Sequence, residues 1–154
     1  MRRLGMQVAD KYASRLLVEL HNQLLFEGGL VIVGTLAYMS WLNELGALAV
    51  SARTQDVDPA RRHALKLGAP LSFLQTVGAT KLKFFPVPGM PNNAPSTSAK
   101  RPGAQGLRVD VLVSGAHLGA VVPVPELAWH AQSVPYFEYL FRHTRKRGRS
   151  LRRR

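Results

Sequence analysis

The sequence has no cysteine, no long apolar run and few acidic residues. Without thiols, disulfides and thiolate zinc sites are excluded, which fits a reducing location such as the cytoplasm. The most apolar stretch, residues 30–42, is well short of the roughly 20 residues that cross a bilayer, so no membrane span is predicted. No secretory signal follows the charged residues 1–3. A chain of 154 residues is expected to form one core.

The formal charge of +12 is concentrated at one end of the chain. Residues 142–154 hold eight Lys or Arg side chains and no acid, so the rest of the chain carries only +4. Such a tail is typical of a nucleic-acid or membrane-surface arm. A strong RNA-binding module also interleaves aromatic and basic residues, and that pattern occurs only at Lys81, Lys83, Phe84 and Phe85.

Hydrophobic periodicity predicts an α+β fold, a small mixed or antiparallel sheet flanked by helices. An N-terminal helical unit (1–28), a core (29–125) and a C-terminal helical segment with the basic tail (126–154) are expected. Helices are predicted at 6–26, 36–45, 60–77 and 126–130, and a last apolar element at 136–141. Strands are predicted at 30–33, 53–58, 81–87 and 107–113, an edge segment at 121–125, and a long loop at 89–106. Pro59 is expected to end its strand and start the helix that follows.

Three of the four aspartates lie in two short segments, Asp56 and Asp58 in one and Asp110 in the other. In a strand, residues two apart share a face about 6.5 Å apart, and a neighbouring strand about 4.8 Å away can bring in the third. Carboxylates that converge repel one another unless a cation lies among them. Oxygen ligands alone favour Mg²⁺ or Mn²⁺ over zinc.

Other interpretations of these aspartates remain open. The pattern Asp-x-Asp is also common in solvated turns. An aspartate between apolar neighbours in a strand needs a partner, and for Asp110 either Arg108, Arg53 or a metal ion would remove the cost of a partly buried charge.

Two further segments have the chemistry of phosphate sites. Gly34 and Thr35 stand between a predicted strand and a helix, where unpaired N–H groups and the helix dipole favour an anion. Many such junctions simply turn the chain. Ser96, Ser98 and Lys100 offer hydroxyls and a cation that would hold phosphate or form a solvated loop tip.

The order of these elements resembles the DNA polymerase β-type nucleotidyltransferase superfamily. The matching motifs are Val33-Gly34-Thr35, Asp56-Val57-Asp58 and Val109-Asp110-Val111. A bacterial nucleotidyltransferase-like branch of unknown substrate is also similar at Leu45-Gly46, Arg53–Asp58, Pro86-Val87-Pro88, Pro95–Lys100 and Leu107–Leu112. The likeness covers roughly residues 10–141.

The resemblance implies a polymerase-β-type core that transfers a nucleoside monophosphate from an NTP such as ATP. It assigns Asp56, Asp58 and Asp110 to two divalent ions, Mg²⁺ or Mn²⁺, in a two-metal site. Residues implied to bind the nucleotide or its phosphates are Gly34, Thr35, Arg53, Thr54, Ser96, Ser98 and Lys100. The acceptor is an unknown hydroxyl on protein, RNA or a small molecule.

The chain departs from that pattern in two places. Thr35 stands where serine or a second glycine is usual, and relatives continue past Tyr139-Leu140 into further helices where this chain becomes arginine-rich. That tail is expected to be either a truncated product or a functional arm. A degenerate, non-catalytic domain of toxin–antitoxin type and a basic nucleic-acid-binding protein are the alternative functions.

Overall fold

The computed structural model describes residues 9–47 and 54–142. Within these residues the helices are α1 (Lys11–Asn22), α2 (Gly34–Leu45), α3 (Phe73–Ala79) and α4 (Phe137–Arg142), with a short 3-10 helix at Pro125–Leu127. The strands are β1 (Leu30–Val33), β2 (Asp56–Arg61), β3 (Phe85–Pro86), β4 (Ser98–Lys100), β5 (Arg108–Asp110), β6 (Leu112–Ser114), β7 (Val121–Val124) and β8 (Trp129–Val134). The fold is α+β with a mixed sheet, as the sequence predicts. None of the helices in these ranges is long and apolar enough to cross a membrane.

Strand β2 lies at the centre of the sheet. The order across the sheet is β3-β4-β5-β2-β6-β8-β7, and β1 pairs with β2 as well. Strands β5 and β6 both run parallel to β2, whereas β1 is antiparallel to it. The pairs Val57↔Val109 and Ala60↔Leu112 have the same offset along the chain. Residues 108–114 therefore form one line beside β2 without a change of register.

The helices α1, α2 and α3 cover one face of the sheet. Buried side chains of α1 and α3, including Leu16 and Phe73, pack with Val57 of β2 and Val109 of β5 in the main core. The neighbours of these two valines along their strands point to the opposite face, because side chains alternate along a strand. The aspartates are therefore on the opposite face, here called the open face, one part of which α4 covers by packing Phe137 against Ala60.

Helix α1 is shorter than the predicted 6–26. It begins at Lys11 because the Asp10 carboxylate accepts a hydrogen bond from the N–H of Tyr12 (2.8 Å), which caps the helix. It ends at Asn22, since Leu24 adopts φ +57° and the N–H of Leu25 bonds back to Leu20 (3.1 Å). Residues 6–8 lie outside the described ranges.

The helix predicted for residues 60–77 is wrong over most of its length. Strand β2 continues through Pro59 to Arg61, and Ala60 is fully buried beside Phe137. Residues 62–72 form no helix, because Glu126 fixes them: its carboxylate accepts from the N–H of Leu65 (2.8 Å) and from Arg61 (2.9 Å). Only α3 is helical, capped by the hydroxyl of Ser72.

Other predicted boundaries also change, and of the strand predicted at 81–87 only Phe85–Pro86 is a strand. The loop 89–106 contains β4, whose Ser98 and Ala99 are buried between β3 and β5. The strand 107–113 is interrupted at Val111, where its outer neighbour changes from β4 to β8: Val111 donates to Thr97 (3.2 Å) and accepts from Gln132 (2.8 Å). The helix 126–130 is a 3-10 turn followed by β8.

Other elements are confirmed. Strand β1 has the predicted bounds, and α2 begins two residues earlier than predicted. The edge segment is β7, the last strand on its side, which tolerates Pro123. The alternation in residues 107–113 also holds, since Leu107, Val109, Val111 and Val113 are all buried.

Candidate active site

Two rows of side chains run across the strands on the open face of the sheet. Each row takes one side chain from every strand that it crosses. Residues that pair across strands share a face, so the register defines both rows. The first row is Phe85, Lys100, Arg108 and Asp56. The second row is Ser98, Asp110, Asp58 and Val33, where the constant offset between β2 and β5–β6 places Asp58 opposite Asp110.

Asp56, Asp58 and Asp110, here called the carboxylate cluster, therefore occupy adjacent positions in these rows. Neighbouring strands are about 4.8 Å apart, and residues two apart along a strand about 6.5 Å. Although 52 positions separate Asp58 from Asp110, the parallel pairing of β2 with β5 makes them neighbours. The structure thus places the three predicted aspartates on one surface.

The carboxylates perturb one another. The pKa of Asp58 is raised from an ordinary 3.8 to about 6, first by burial and then by the negative charges of Asp110 and Asp56. Arg108 acts in the opposite direction and lowers the pKa of Asp58. Negative charge therefore exceeds positive charge around Asp58, which is the electrostatic condition for binding a cation.

Asp110 is held by its neighbours on two strands. Its Oδ1 accepts hydrogen bonds from the Ser98 hydroxyl and from Nε of Arg108 (2.8 Å). Nη2 of Arg108 also donates to the Ser98 hydroxyl (2.9 Å), which closes the network. Of the two partners considered from sequence, the Arg108 ion pair is present, and Arg53 lies outside the described residues.

Gly34 lies beside Asp58 because β1 pairs Val33 with Asp58. Its φ is +67°, and a Cβ at this position would collide with Oδ2 of Asp58. Glycine therefore satisfies the backbone conformation and lets the carboxylate approach the first turn of α2. Half-buried Thr35 follows in the same turn, where the backbone N–H groups have no partners within the helix.

The other predicted phosphate-binding residues are divided between the two sides of the cluster. The Thr54 hydroxyl bonds both the N–H and the C=O of Asp56 (3.1 Å each), so it fixes the start of β2. Ser98 and Lys100 are in β4, on the side of β5 away from β2, and half-buried Ser96 precedes that strand. They are therefore separated from Gly34 and Thr35 by β2 and β5.

The described part of the chain contains no ready-made metal centre, since no group of three or more Asp, Glu, His or Cys side chains there is arranged to hold an ion. The donor set nevertheless fits Mg²⁺ chemically. All three groups are carboxylates, and Oδ2 of Asp110 has no hydrogen-bond partner among the described residues. The metal assignment thus remains a prediction.

Two residues on this face, Arg108 and Phe85, are not among the site residues that the sequence predicts. Arg108 was considered only as an ion-pair partner, although it shares a face with the cluster and acts on Asp58 as well. The sequence groups Phe85 with Lys81, Lys83 and Phe84 as aromatic and basic residues and does not connect it to the aspartates; the residue is 55% exposed. The signal available was the alternation that separates Phe85 from buried Phe84, but its strand neighbours depend on long-range pairing.

Comparisons with known proteins agree with this architecture. Residues 11–147 match a family model described as nucleotidyltransferase. No curated protein and no solved structure gave a match. Because the matched region spans most of the 154 residues, the chain belongs to this nucleotidyltransferase family, which implies nucleotidyl transfer in general and a nucleotide substrate.

Proposed function

We propose that the protein is a metal-dependent nucleotidyltransferase that moves a nucleoside monophosphate from an NTP to a hydroxyl acceptor. The observation that carries the proposal is the carboxylate cluster beside the N-terminus of α2. Burial first, and then the negative charges of Asp110 and Asp56, raise the pKa of Asp58 to about 6, so the charged form of Asp58 destabilises the metal-free protein and a bound cation would relieve that cost.

In this proposal Asp56 and Asp58 bind the divalent ion on the nucleotide side, and Asp110 completes the site toward the acceptor. Bound Mg²⁺ would offset the charge that develops on the attacking and leaving oxygens. Arg108 and Ser98 fix the side chain of Asp110 by holding Oδ1, which leaves Oδ2 as the oxygen available to the site.

The triphosphate would lie at the first turn of α2. The N–H groups there are unpaired within the helix, the dipole attracts an anion, and Gly34 has no side chain to block it. The acceptor oxygen would attack the α-phosphorus from the side opposite the departing pyrophosphate, in an in-line displacement. Asp110 is on the side of Asp58 away from Gly34, and in this proposal it would lie near the incoming hydroxyl.

The proposal is tested by ligand-induced thermal stabilisation of the full chain. Three conditions are compared: each NTP with Mg²⁺, each NTP with EDTA, and Mg²⁺ alone. The proteins are the wild type and the variants Asp56→Asn, Asp58→Asn and Asp110→Asn. At least one NTP with Mg²⁺ should raise Tm, since a ligand at 100 times its Kd stabilises by about 2.7 kcal/mol. The aspartate variants should lose the shift, while Glu44→Gln, an exposed acid at the far end of α2, should keep it.

A second candidate function is a non-catalytic domain of the same family. The specific observation in its favour is that Asp110 already has a protein counter-ion, Arg108, and that no ready-made metal centre lies among the described residues. This alternative predicts no Mg²⁺-dependent effect of any NTP on wild type. If nucleic-acid binding is then lost on deletion of residues 142–154 and is unchanged in the aspartate variants, the protein is instead a nucleic-acid-binding protein that acts through its basic tail.

A further inference from the structure

The first row continues beyond the carboxylate cluster. From Asp56 it passes to Arg108, then to Lys100 and then to Phe85, each on the next strand of the sheet. With about 4.8 Å between strands, the backbone at Lys100 is about 10 Å from that at Asp56, and the backbone at Phe85 about 14 Å. Here these three residues, Arg108, Lys100 and Phe85, are called the outer row.

The outer row and α2 are on opposite sides of the carboxylate cluster. Strand β1, which leads into α2, is one neighbour of β2, and β5 with β4 and β3 beyond it lies on the other side. An in-line displacement brings the attacking and leaving oxygens to opposite sides of the phosphorus. If pyrophosphate leaves on the α2 side, the acceptor approaches over the outer row.

The side chains of the outer row define the acceptor's chemistry. Arg108 is partly exposed, but its ion pair with Asp110 neutralises its charge. No carboxylate of the described residues pairs with Lys100, whose Nζ reaches only the Ala104 carbonyl at 3.5 Å, so Lys100 supplies the positive charge of the outer row. Phe85 leaves 55% of its surface in solvent although its neighbour Phe84 is buried. A lysine without a carboxylate partner, followed by an exposed ring, matches a phosphate followed by a base, because unpaired bases stack on aromatic rings.

We propose that the acceptor is an unpaired end of a single-stranded nucleic acid, with a phosphate near that end bound by Lys100 and a base stacked on Phe85. The inference rests on the proposed function, because that function determines which side of the cluster is the acceptor side. The net charge of +12 agrees with a polyanionic partner. An acidic peptide would bind Lys100 but would not need the ring of Phe85, and a duplex would offer no unpaired base.

The test measures binding of a short, fluorescein-labelled single-stranded RNA by anisotropy, with Mg²⁺ and without NTP. The full chain is used throughout, so the basic tail contributes equally to every variant. Phe85→Ala should weaken binding by about 5- to 150-fold, because stacking of one base contributes about 1–3 kcal/mol, and Phe85→Trp should restore it. Lys100→Ala should reduce the slope of log K against log salt by about 0.7, the loss of one phosphate contact.

Two matched controls identify the surface. Trp41→Ala removes a ring that is equally exposed (53%) but lies on α2, and Lys66→Ala removes an exposed lysine outside both rows. Both should bind the RNA like wild type. A blunt duplex should show no dependence on Phe85. Equal RNA binding by wild type, Phe85→Ala and Lys100→Ala would overturn the proposal, as would dependence on Lys100 without dependence on Phe85.

The Mg²⁺–NTP thermal shift of the same variants separates this proposal from the function on which it rests. Phe85→Ala should keep the shift, because Phe85 lies on the side of the carboxylate cluster away from α2. A normal shift with unchanged RNA binding refutes the acceptor proposal alone. A third outcome is that neither wild type nor any variant shows the Mg²⁺–NTP thermal shift, while RNA binding still requires Phe85 and Lys100. The outer row is then supported as a nucleic-acid site, and the transferase function is refuted.

Discussion

Replacing Asp58 by asparagine should stabilise the metal-free protein at neutral pH. Burial and the charges of Asp110 and Asp56 raise the pKa of Asp58 to about 6 in the folded protein, against an ordinary 3.8. The folded state therefore holds this proton more tightly than the unfolded chain does. Protonated Asp58 contributes fully to the free energy of unfolding below about pH 4, and this contribution is lost as pH rises from about 4 to about 6. Above about pH 7 the folded protein is destabilised by the whole free energy of the pKa shift.

The size of this penalty follows from the pKa shift. A displacement from 3.8 to about 6 corresponds to an upper limit of about 3 kcal/mol at 1.36 kcal/mol per unit. Asp58 is only half-buried, and solvent screening reduces the value to about 1–2 kcal/mol. Asparagine has a similar shape and no charge, so Asp58→Asn should recover that amount, or about 2–8 °C in Tm for a chain of this size.

The assay is urea unfolding followed by circular dichroism, in EDTA, at about pH 4 and about pH 8. The variant should be more stable than wild type by about 1–2 kcal/mol at the higher pH and nearly equal to it at the lower pH. Glu44→Gln changes an exposed acid, so its difference in stability from wild type should not grow with pH. Equal or lower stability of Asp58→Asn at about pH 8 would refute the argument that the cluster is electrostatically strained.

Three other changes test the surroundings of the site. Arg108→Gln should raise the pKa of Asp58 further, since Arg108 lowers it; NMR titration of the Asp58 carboxyl carbon measures the direction, and an unchanged midpoint would contradict the assignment. Gly34→Ala should lower the stability to urea more than Gly46→Ala does. Both glycines have φ near +68°, but only a Cβ at position 34 would collide with Asp58. Equal losses of stability, each about 1–2 kcal/mol, would mean that the contact with Asp58 is unimportant. Glu126→Gln should lose about 1–2 kcal/mol near pH 7. Burial raises the pKa of Glu126, but its hydrogen bonds with the backbone and with Arg61 outweigh burial, so the pKa is lowered. The stability lost in Glu126→Gln should therefore shrink as pH falls through the lowered pKa. A loss of stability that does not change with pH in denaturant titrations would contradict this account.

The sequence predicts most reliably the elements whose signal is local. Strand β1 is a short apolar run of β-branched residues between glycines, and α2 follows it directly. Alternation alone identifies residues 107–113 as a strand whose odd positions are buried, and so places Asp110 on the open face. The periodicity of a single segment is sufficient in each case.

The sequence does not predict elements whose stability comes from distant partners. Ser98 and Ala99 lie in a stretch rich in Pro, Asn and Gly, and they form a strand because β3 and β5 supply partners on both sides. Pro59 reads as the end of a strand, yet β2 continues because Ala60 is buried between β1, β6 and Phe137. Tertiary burial overrides local preference at both places.

The site itself could be predicted in part because its residues conflict with the fold. Aspartate is disfavoured inside a strand, so two such strands require an explanation beyond packing. The ion pair with Arg108 supplies that explanation for Asp110 but not for Asp58, which has no ion-pair partner among the described residues and faces two other acids. A purely structural role would not place a third carboxylate beside an ion pair that is already neutral. The excess charge at Asp58 therefore points to a ligand that carries positive charge, and its position next to Gly34 brings that ligand to the end of a helix that attracts phosphate.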